Sequence, residues 1–325
     1  MTAKSPPLSW IWAGPAERLA WRRYWIRDVA QGLWALFLQG VLAMGTIGWC
    51  SGLGEFLGLL FGRIYRDKQA RACANIIALR PDLEPQLEAV LRRTWASMGR
   101  SLAEFSVIDR LWTSSRVRIE GMEHLEAARA AGRPRVFVSL HLSNWELVGP
   151  KFVTLGEDAV SFFQPVPNRF RRWIATHLRR RFAGQLLPPG PKSALVAHRV
   201  LADRGGAVII YVDEVANGCV MAPAFGRPLR LDGNMARAAR MAHMSGALIL
   251  PAYVLRDGGA HFRLVILPPM EVRATPAGKL DIRGTVQALD DLFDPIVRAH
   301  LDQWLMLASL DLAAEPRGGG DSPQG

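Results

Sequence analysis

Short apolar runs that alternate with helical patterns constrain the fold of this chain after residue 116. The runs cover residues 117–121, 136–140, 159–166, 207–213, 247–255 and 261–269 and are rich in Val, Ile, Leu and Phe. Helical patterns lie at 122–132, from Asn144 onward, and at 169–182, 233–246 and 283–312. Strands that alternate with helices form a parallel or mixed sheet with helices on both faces. We therefore predict an α/β fold with a mixed, mostly parallel sheet flanked by helices.

The region before the first predicted strand has the period of helices. Residues 63–79 follow a helical pattern that ends before Pro81, since proline does not continue a helix. From Glu84 to Trp112 the apolar residues recur every three or four positions, which predicts one or two amphipathic helices. We assign these helices and the sheet to one domain, residues 63–313. The composition of residues 314–325 predicts a disordered tail.

No residue between Asp28 and Glu55 is charged. This stretch is long enough to cross a hydrocarbon core of roughly 30 Å. Arginines lie on both sides of it and tryptophans lie near its ends, which is typical of segments at membrane interfaces. Its glycines and two glutamines leave three alternatives open: a single membrane span, a kinked hairpin within one leaflet, or a buried helix of a soluble domain. We predict that residues 1–62 form a lead-in and a membrane-associated hydrophobic helix.

The charge of the chain is strongly positive, with 40 Lys+Arg against 29 Asp+Glu and a formal net charge of +11. Such a field favours acidic partners: nucleic acid, anionic lipid, or an acidic carrier protein. No recognisable nucleic-acid-binding motif accompanies it, so we predict no nucleic-acid partner. The three cysteines are far apart in the chain, and the seven histidines lack the spacing of metal ligands, so neither a disulfide framework nor a metal site is predicted.

His141 directly follows the apolar run 136–140, and Glu146 lies five residues further on. Functional residues of open α/β sheets collect beyond the carboxyl ends of strands. One interpretation is structural: Ser143 caps the next helix, and Glu146 completes a capping box. The other is catalytic: His141 takes a proton from an alcohol, and Glu146 holds its tautomer. The two are compatible if His141 precedes the helix and Glu146 lies on its first turn.

Residues 139–149, "SLHLSNWELVG", resemble the H-(x)4-D/E block of the glycerolipid acyltransferases. The Asn-Trp-Glu form is similar to the bacterial lipid A late acyltransferases, the lauroyl and myristoyl transferases. "FFQPVPNRFRRWIATHLRRRFAG" occupies the second block of that family, and the region from "GGAVIIYVDEVANG" to "PAYVLR" resembles its third and fourth blocks. The segment "ACANIIALRPDLEPQLEAVLRRTWASMGRSLAEF" fits the helices that precede them. The resemblance covers roughly residues 20–310.

The resemblance implies transfer of an acyl group from a thioester to a hydroxyl, without a cofactor. His141 would be the general base, and Glu146 would orient and support it. An arginine for the oxyanion lies eleven residues after the block-two asparagine in that family, which implies Arg179 here. The residues implied to bind substrate are Asn144, Asn168, Arg180, Arg181, Asp213, Phe225, Gly226 and Asn234.

Several of these residues have a second interpretation from sequence alone. The basic run around Arg179 is also typical of a solvated helix face, and Asp213 could cap the loop that follows its strand. Asn234, Arg237 and Arg240 share one helix face, which could contact a phosphate or form a solvated stripe.

The chain departs from the family pattern in three places. Residues 163–165 are Phe-Gln-Pro where Tyr-Arg-Pro is usual, Glu214 replaces a glutamine after the aspartate, and the basic residues after Trp304 are missing. These departures leave the acceptor open. We expect a lipid A precursor, with a lysophospholipid, an aminolipid or another glycolipid as the alternative.

The expected partners are acyl carrier protein, inner-membrane lipid and the lipid A precursor, with the catalytic domain on the cytoplasmic side of the inner membrane. Basic docking surfaces attract an acidic carrier, but coenzyme A is anionic too, so charge does not choose the donor. Two other classes of function compete with these expectations: a membrane-tethered nucleic-acid binder, and a catalytically inactive scaffold.

Overall fold

The computed structural model describes residues 5–62, 64–164, 166, 168–179, 185–216 and 218–312. Its strands are β1 (Val117–Glu120), β2 (Arg135–Ser139), β3 (Ala159–Phe162), β4 (Gln185–Leu187), β5 (Ala207–Tyr211), β6 (Val215–Ala216), β7 (Cys219–Val220), β8 (Leu248–Gly258) and β9 (His261–Ile266). Within these ranges seven strands form one sheet in the order β1-β9-β8-β2-β5-β3-β4, while β6 and β7 form a separate ribbon. Only the β8–β9 pair of the large sheet is antiparallel, and the others are parallel. The predicted mixed, mostly parallel sheet is confirmed.

The helices cover both faces of this sheet. They are α1 (Pro15–Arg22), α2 (Asp28–Met44), α3 (Ile47–Gly62), α4 (Arg66–Leu79), α5 (Leu87–Glu104), α6 (Ile108–Thr113), α7 (Met122–Ala130), α8 (Val148–Thr154), α9 (Arg169–Arg179), α10 (Pro191–Ala202), α11 (Asn234–Ser245) and α12 (Ile282–Ala299). Helices α4, α5, α10, α11 and α12 contribute to the core on one face, and α6 to α9 contribute to the core on the other.

Strand β2 is buried on both faces because it lies near the middle of the sheet. Val136 and Val138 belong to one core, and Phe137 belongs to the other, where its ring stacks on Phe152 at 3.8 Å. This burial explains why the sequence of β2 is a continuous apolar run and does not alternate. It also fixes the position of the residues that leave its carboxyl end.

Some boundaries differ from the sequence predictions. The patterns predicted no element between residues 183 and 206, where the structure has β4 and α10. The predicted final helix, 283–312, ends as α12 at Ala299 and continues in short 3-10 turns, Leu301–Gln303 and Leu305–Ala308. The predicted basic helix 169–182 is described only to Arg179, and the predicted disordered tail lies outside the described residues.

The uncharged segment forms two helices rather than one. Helix α2 ends at Met44, Gly45 adopts an extended backbone, and α3 begins at Ile47. The N–H of Trp49 donates to the Thr46 hydroxyl oxygen at 3.2 Å, which gives α3 a polar start. Among the described helices, none combines the length and the apolar character that a membrane crossing requires. The membrane association predicted for this segment stays a prediction.

Helix α3 lies against α5 through its glycines. A Cβ atom at Gly58 would overlap the carbonyl oxygen of Trp95, and one at Gly54 would lie 2.5 Å from the carbonyl oxygen of Gly99. Gly99 in turn faces the backbone of Gly54 and Gly58. The two helices therefore approach as closely as their backbones allow, which is typical of contacts built from small residues.

Several large side chains of α2 and α3 are exposed, although Leu42 is buried and Leu36 packs against a core. The exposed ones include Trp34 at 64%, Phe37 at 61% and Phe56 at 62% of their surface. Ordinary soluble helices do the reverse and turn their large apolar residues inward. Helix α3 thus has a small-residue face on α5, and α2 and α3 both expose large apolar side chains. Exposed apolar surface of this kind is typical of an interaction site.

We predict that Gly58→Ala destabilises the fold although alanine favours helices. The added methyl must displace the backbone of Trp95, and overpacking of this kind costs about 1–3 kcal/mol. Gly52→Ala is the matched control on the same helix, since nothing lies within 4 Å of the position of its Cβ. Gly52→Ala should stabilise the helix by about 0.5–1 kcal/mol. Denaturant unfolding of the two variants measures both effects, and equal unfolding free energies would contradict the close packing.

Candidate active site

His141 and Asp213 meet because their strands are parallel neighbours. In the pairing of β2 with β5, Ser139 is in register with Tyr211, so the two chains leave the sheet side by side at its carboxyl edge. His141 follows β2 by two residues, and Asp213 follows β5 by two residues. The ring Nδ1 of His141 lies 2.8 Å from Oδ1 of Asp213, and the backbone N–H of His141 donates to Oδ2 at 2.9 Å.

The burial of this pair is strongly asymmetric. The side chain of Asp213 is 0% exposed, whereas that of His141 is 20% exposed. A carboxylate oxygen accepts hydrogen bonds, so Nδ1 of the neutral imidazole carries the proton, and Nε2 is left as an acceptor. A histidine held in this tautomer by a buried carboxylate is prepared to take a proton at Nε2.

Aromatic side chains fix the plane of the His141 ring. The centroid of the Tyr211 ring lies 4.5 Å from it, and that of Trp145 lies 5.5 Å away. The Tyr211 hydroxyl donates to the Trp145 carbonyl oxygen at 2.7 Å. Burial, and then the charge of Glu146, raise the pKa of Tyr211 well above its usual value. Tyr211 is therefore a neutral donor at physiological pH and supports the ring by packing.

Glu146 binds Arg179 with both oxygens. Nε of Arg179 donates to Oε2 at 3.0 Å, and Nη2 makes a short ion pair with Oε1. Burial alone would lower the pKa of the Arg179 guanidinium, but the charge and hydrogen bonds of Glu146 raise it. Among the residues that the structure describes, no hydrogen bond joins Glu146 to His141. The direct contact that orients His141 comes from Asp213, and the supporting role predicted for Glu146 stays a prediction.

The turn that carries His141 is held from two sides. Ser143 has a left-handed backbone with φ of 49°, which is unusual for a residue with a side chain. Its N–H donates to the carbonyl oxygen of Gln303 at 2.7 Å, and its carbonyl oxygen accepts from the Ser101 hydroxyl at 3.1 Å. The N–H of Leu305 donates to the carbonyl oxygen of His141 at 3.0 Å. Strain at such a position persists where the surroundings over-determine it, as these contacts do.

The capping-box alternative is wrong. The hydroxyl oxygen of Ser143 is buried and has no hydrogen-bond partner among the described residues. Glu146 directs both carboxylate oxygens at Arg179 and none at the backbone N–H of Ser143. The chain enters α8 through a 3-10 turn, Trp145–Leu147, in which Glu146 lies.

The buried ion pair of Glu104 and Arg256 supports the same turn through Asn144. Glu104 on α5 is fully buried, and both its oxygens accept from Arg256 on β8, at 2.6 and 2.9 Å. Glu104 also accepts from the Asn144 side chain at 3.0 Å and from the Ser51 hydroxyl at 2.7 Å. Asn144, predicted to bind substrate, is 1% exposed and faces Glu104. This cluster joins the His141 turn to α3, α5 and the sheet.

Asn168 lies at the start of α9. Its side-chain oxygen accepts from the N–H groups of Phe170 and Arg171 at 3.0 and 3.2 Å, and its amide donates to the carbonyl oxygen of Asp28 at 3.0 Å. Asn168 therefore caps α9 and ties it to α2, while its predicted contact with substrate stays a prediction. Arg180 and Arg181 lie outside the described residues.

Phe225 packs beside Trp304, and Gly226 lies at the surface. Phe225 is buried, and its ring meets Trp304 edge-on at 5.5 Å. Gly226 lines a surface cavity of about 490 Å³ together with Arg227 and acidic residues of α12, and His141 is not part of its lining. In the part of the chain that the structure describes, no three His, Cys, Asp or Glu side chains are arranged to hold a metal ion.

Asn234 begins α11 next to the site. Its side-chain amide donates to the carbonyl oxygen of Tyr211 at 2.7 Å, and its backbone N–H donates to Oε1 of Glu214 at 2.7 Å. Oε2 of Glu214 is buried and has no partner among the described residues. Burial raises the pKa of Glu214 to about 7, although its own backbone, the Asn234 N–H and the charge of Arg237 act to lower it.

Sequence reasoning assigned no role to Trp304, Glu104, Arg256 or Tyr211. Trp304 donates its indole N–H to Oδ2 of Asp213 at 2.8 Å. A signal for Glu104 was present, because it lies on the same helix face as Val90 and Ser97, where a charge needs a buried partner. The partner, Arg256, lies on a distant strand, so no local pattern identifies it.

Comparison with known proteins gives, over most of the chain, the family that the sequence resembles. A family model described as bacterial lipid A biosynthesis acyltransferase matches residues 17–310. A lipid A biosynthesis acyltransferase of Haemophilus influenzae is 25% identical over 169 residues, which are 50% of this chain and 51% of that protein. A phosphatidylinositol mannoside acyltransferase of Mycobacterium tuberculosis is 27% identical over 200 residues, 58% of each chain. The chain thus spans little more than half the length of these curated relatives.

The raised pKa of Glu214 predicts a pH-dependent stability. The folded protein ionises Glu214 near pH 7, whereas the unfolded chain ionises it near 4.5, so stability falls as pH rises through this window. Glu214→Gln removes this loss and keeps an acceptor for the Asn234 N–H. At about pH 8 the variant should be more stable by on the order of 1–3 kcal/mol, and at about pH 4 the difference should shrink toward zero. Denaturant unfolding at both pH values tests this, and a difference independent of pH would contradict it.

Proposed function

This chain belongs to the bacterial lipid A biosynthesis acyltransferase family, and from that premise we propose that it transfers a fatty acyl chain from an acyl thioester to a hydroxyl group of a membrane glycolipid. The observation that carries the proposal is the partly exposed His141 ring, held at Nδ1 by the buried carboxylate of Asp213. The family supports acyl transfer, and this pair supplies the base that the reaction requires.

His141 acts on the acceptor alcohol. Its Nε2 takes the hydroxyl proton while the hydroxyl oxygen attacks the carbonyl carbon of the thioester. The imidazolium that forms is stabilised by Asp213, and the tetrahedral intermediate carries the negative charge on its oxygen. When the intermediate collapses, the carbon–sulfur bond breaks, and the thiolate takes the proton back from Nε2. The products are the ester and the free thiol.

Arg179 is the donor that we assign to the oxyanion. Glu146 holds the guanidinium through Nε and Nη2, and Nη1 is not used by this pair. A donor fixed in advance stabilises developing charge without reorganisation, which is a large contribution in acyl transfer. Glu146 then serves the site by fixing Arg179 and by adding negative charge near the imidazolium.

A lipid A precursor is the first candidate for the acceptor. The family description and the Haemophilus influenzae relative support it. The second candidate is another glycolipid, because the phosphatidylinositol mannoside acyltransferase matches a longer stretch of this chain at a similar identity. Acyl carrier protein is the proposed donor, with a coenzyme A thioester as the alternative. The basic side chains of α9 favour either anionic donor.

We place the protein at the inner membrane, with the catalytic domain on the cytoplasmic side. The support for membrane attachment is the exposed apolar face of α2 and α3. The basic helix α9 packs on α2, and the arginines of α1 precede α2 in the chain. Arginine is attracted to anionic lipid head groups. An acceptor that is itself a lipid would then reach the site without leaving the membrane surface.

We predict that His141→Ala lowers kcat for acyl transfer by about 10²–10⁴-fold, since it removes the general base. Asp213→Asn should lower kcat by about 100-fold or more while KM changes little, because the carboxylate acts through the imidazolium. His243→Ala, an exposed histidine on α11, is the matched control and should keep the activity of the unsubstituted protein. Thiol release from lauroyl or palmitoyl coenzyme A in the presence of host lipid measures all three. Full activity of His141→Ala would show that the chain uses another base, and absence of thiol release from the unsubstituted protein would favour the scaffold.

The acceptor is tested in the native host by mass spectrometry of total lipids with and without the gene. Loss of one secondary acyl chain from lipid A in the deletion strain is the expected result, and the lost mass gives the chain length. An unchanged lipid A together with loss of an acyl group from another glycolipid would select the second candidate. Complementation with His141→Ala is the control that links the change to the chemistry of this site.

A further inference from the structure

Among the residues that the structure describes, only His141 and Trp304 form hydrogen bonds with the side chain of Asp213. Oδ1 of Asp213 binds the ring of His141, while Oδ2 accepts from the backbone N–H of His141 and from the indole N–H of Trp304 at 2.8 Å. Both partners are buried, with 0% exposure for the Asp213 side chain and 1% for Trp304. A hydrogen bond to a charged acceptor in such a place is strong and directional.

We propose that Trp304 is a positioning residue of the acyl-transfer site, which acts by fixing the carboxylate of Asp213 against His141. The inference rests on the proposed function, since it assigns a third member to the His141–Asp213 pair. Without the indole N–H, the carboxylate would keep only its two contacts with His141, and its orientation against Nδ1 would be less well fixed. The substrate would still bind, because Trp304 itself does not contact the reacting atoms.

The backbone around Trp304 reaches the same turn. Leu142 and Trp304 form an antiparallel bridge, and the neighbours of Trp304 exchange hydrogen bonds with the turn. The N–H of Leu305 donates to the carbonyl oxygen of His141 at 3.0 Å, and Gln303 accepts from the N–H of Ser143 at 2.7 Å. The segment 303–305 therefore holds the backbone of the base and the side chain of its carboxylate partner at once.

Packing alone does not explain the choice of an indole. Trp95 is also buried, at 9% exposure, and its N–H has no hydrogen-bond partner among the described residues. The fold thus accommodates a buried indole whose N–H is not satisfied. At Trp304 the N–H instead goes to the carboxylate that orients the base, which is the feature a phenylalanine could not provide.

Trp304→Phe tests the proposal, with Trp95→Phe as the control that removes the same volume without removing a hydrogen bond. A misplacement of about 1 Å in a catalytic group costs about 100-fold in rate, so we expect kcat of Trp304→Phe to fall by about 10- to 100-fold with little change in KM. The kcat of Trp95→Phe should stay within about 3-fold of that of the unsubstituted protein, even if its unfolding temperature falls as far as that of Trp304→Phe. The assay is thiol release from lauroyl coenzyme A with host lipid as the acceptor.

A second variant separates the hydrogen bond from the shape of the side chain. Benzothienylalanine at position 304 keeps both fused rings and puts a sulfur atom in place of the N–H. It should fold as the unsubstituted protein does and lose kcat as Trp304→Phe does. Wild-type kcat in this variant would overturn the proposal.

A double-mutant cycle shows whether Trp304 acts through Asp213. In the Asp213→Asn background, Trp304→Phe should change kcat by less than about 3-fold, because the carboxylate it positions is already gone. An equal fall in both backgrounds would overturn the proposal and leave Trp304 a packing residue.

The cycle also distinguishes this inference from the proposed function. If Asp213→Asn is impaired while the Trp304 variants keep wild-type kcat, the inference fails and the proposed function stands. If Asp213→Asn and His141→Ala both keep wild-type kcat, the proposed function fails, and the inference fails with it.

Discussion

The parallel, in-register pairing of β2 with β5 is the constraint on which the site depends. Each strand is buried on both faces, so neither can shift by one residue without moving its apolar side chains from one core to the other. Because the register is fixed, the residues that leave the two carboxyl ends are fixed as well. His141 and Asp213 are far apart in sequence, yet their contact follows from this pairing.

Two buried carboxylates then hold the turn that follows β2. Isolated buried charge is costly, and both are fully engaged: Glu104 by Arg256, Asn144 and Ser51, and Asp213 by His141 and Trp304. Glu104 binds the turn at Asn144, and Asp213 binds it at His141. Together with the backbone contacts from residues 303 and 305, they explain how Ser143 keeps its left-handed backbone. The polar interior is therefore what shapes the site, while the apolar cores shape the sheet.

The sequence allowed the central strands and His141 to be predicted because both leave local signals: continuous apolar runs, and a histidine where one such run ends. The partner of Glu146 could not be predicted, since Arg179 is brought to it by tertiary packing. The same holds for Arg256 and Glu104. Strand β4 has only three residues at the sheet edge, and α10 begins with a proline after a Pro-Pro-Gly stretch that is typical of a loop. The sequence shows one uninterrupted apolar pattern, whereas the structure breaks it at Gly45 into two helices. Composition gives the length of such a segment but not the position at which the chain turns.

Helix α3 lies with its glycines against α5, while α2 and α3 both carry exposed aromatic rings. The attachment of α3 to α5 is made by backbone contact, by the hydrogen bond from Ser51 to Glu104, and by Arg100, which binds Ser51 and Glu55. Whatever covers the aromatic rings, whether lipid, detergent or another protein, can therefore be exchanged without disturbing the glycine face of α3 that lies on α5. Opposite sides of α3 thus differ in what they contact: one reaches the catalytic turn through Ser51 and Glu104, and the other is exposed apolar surface.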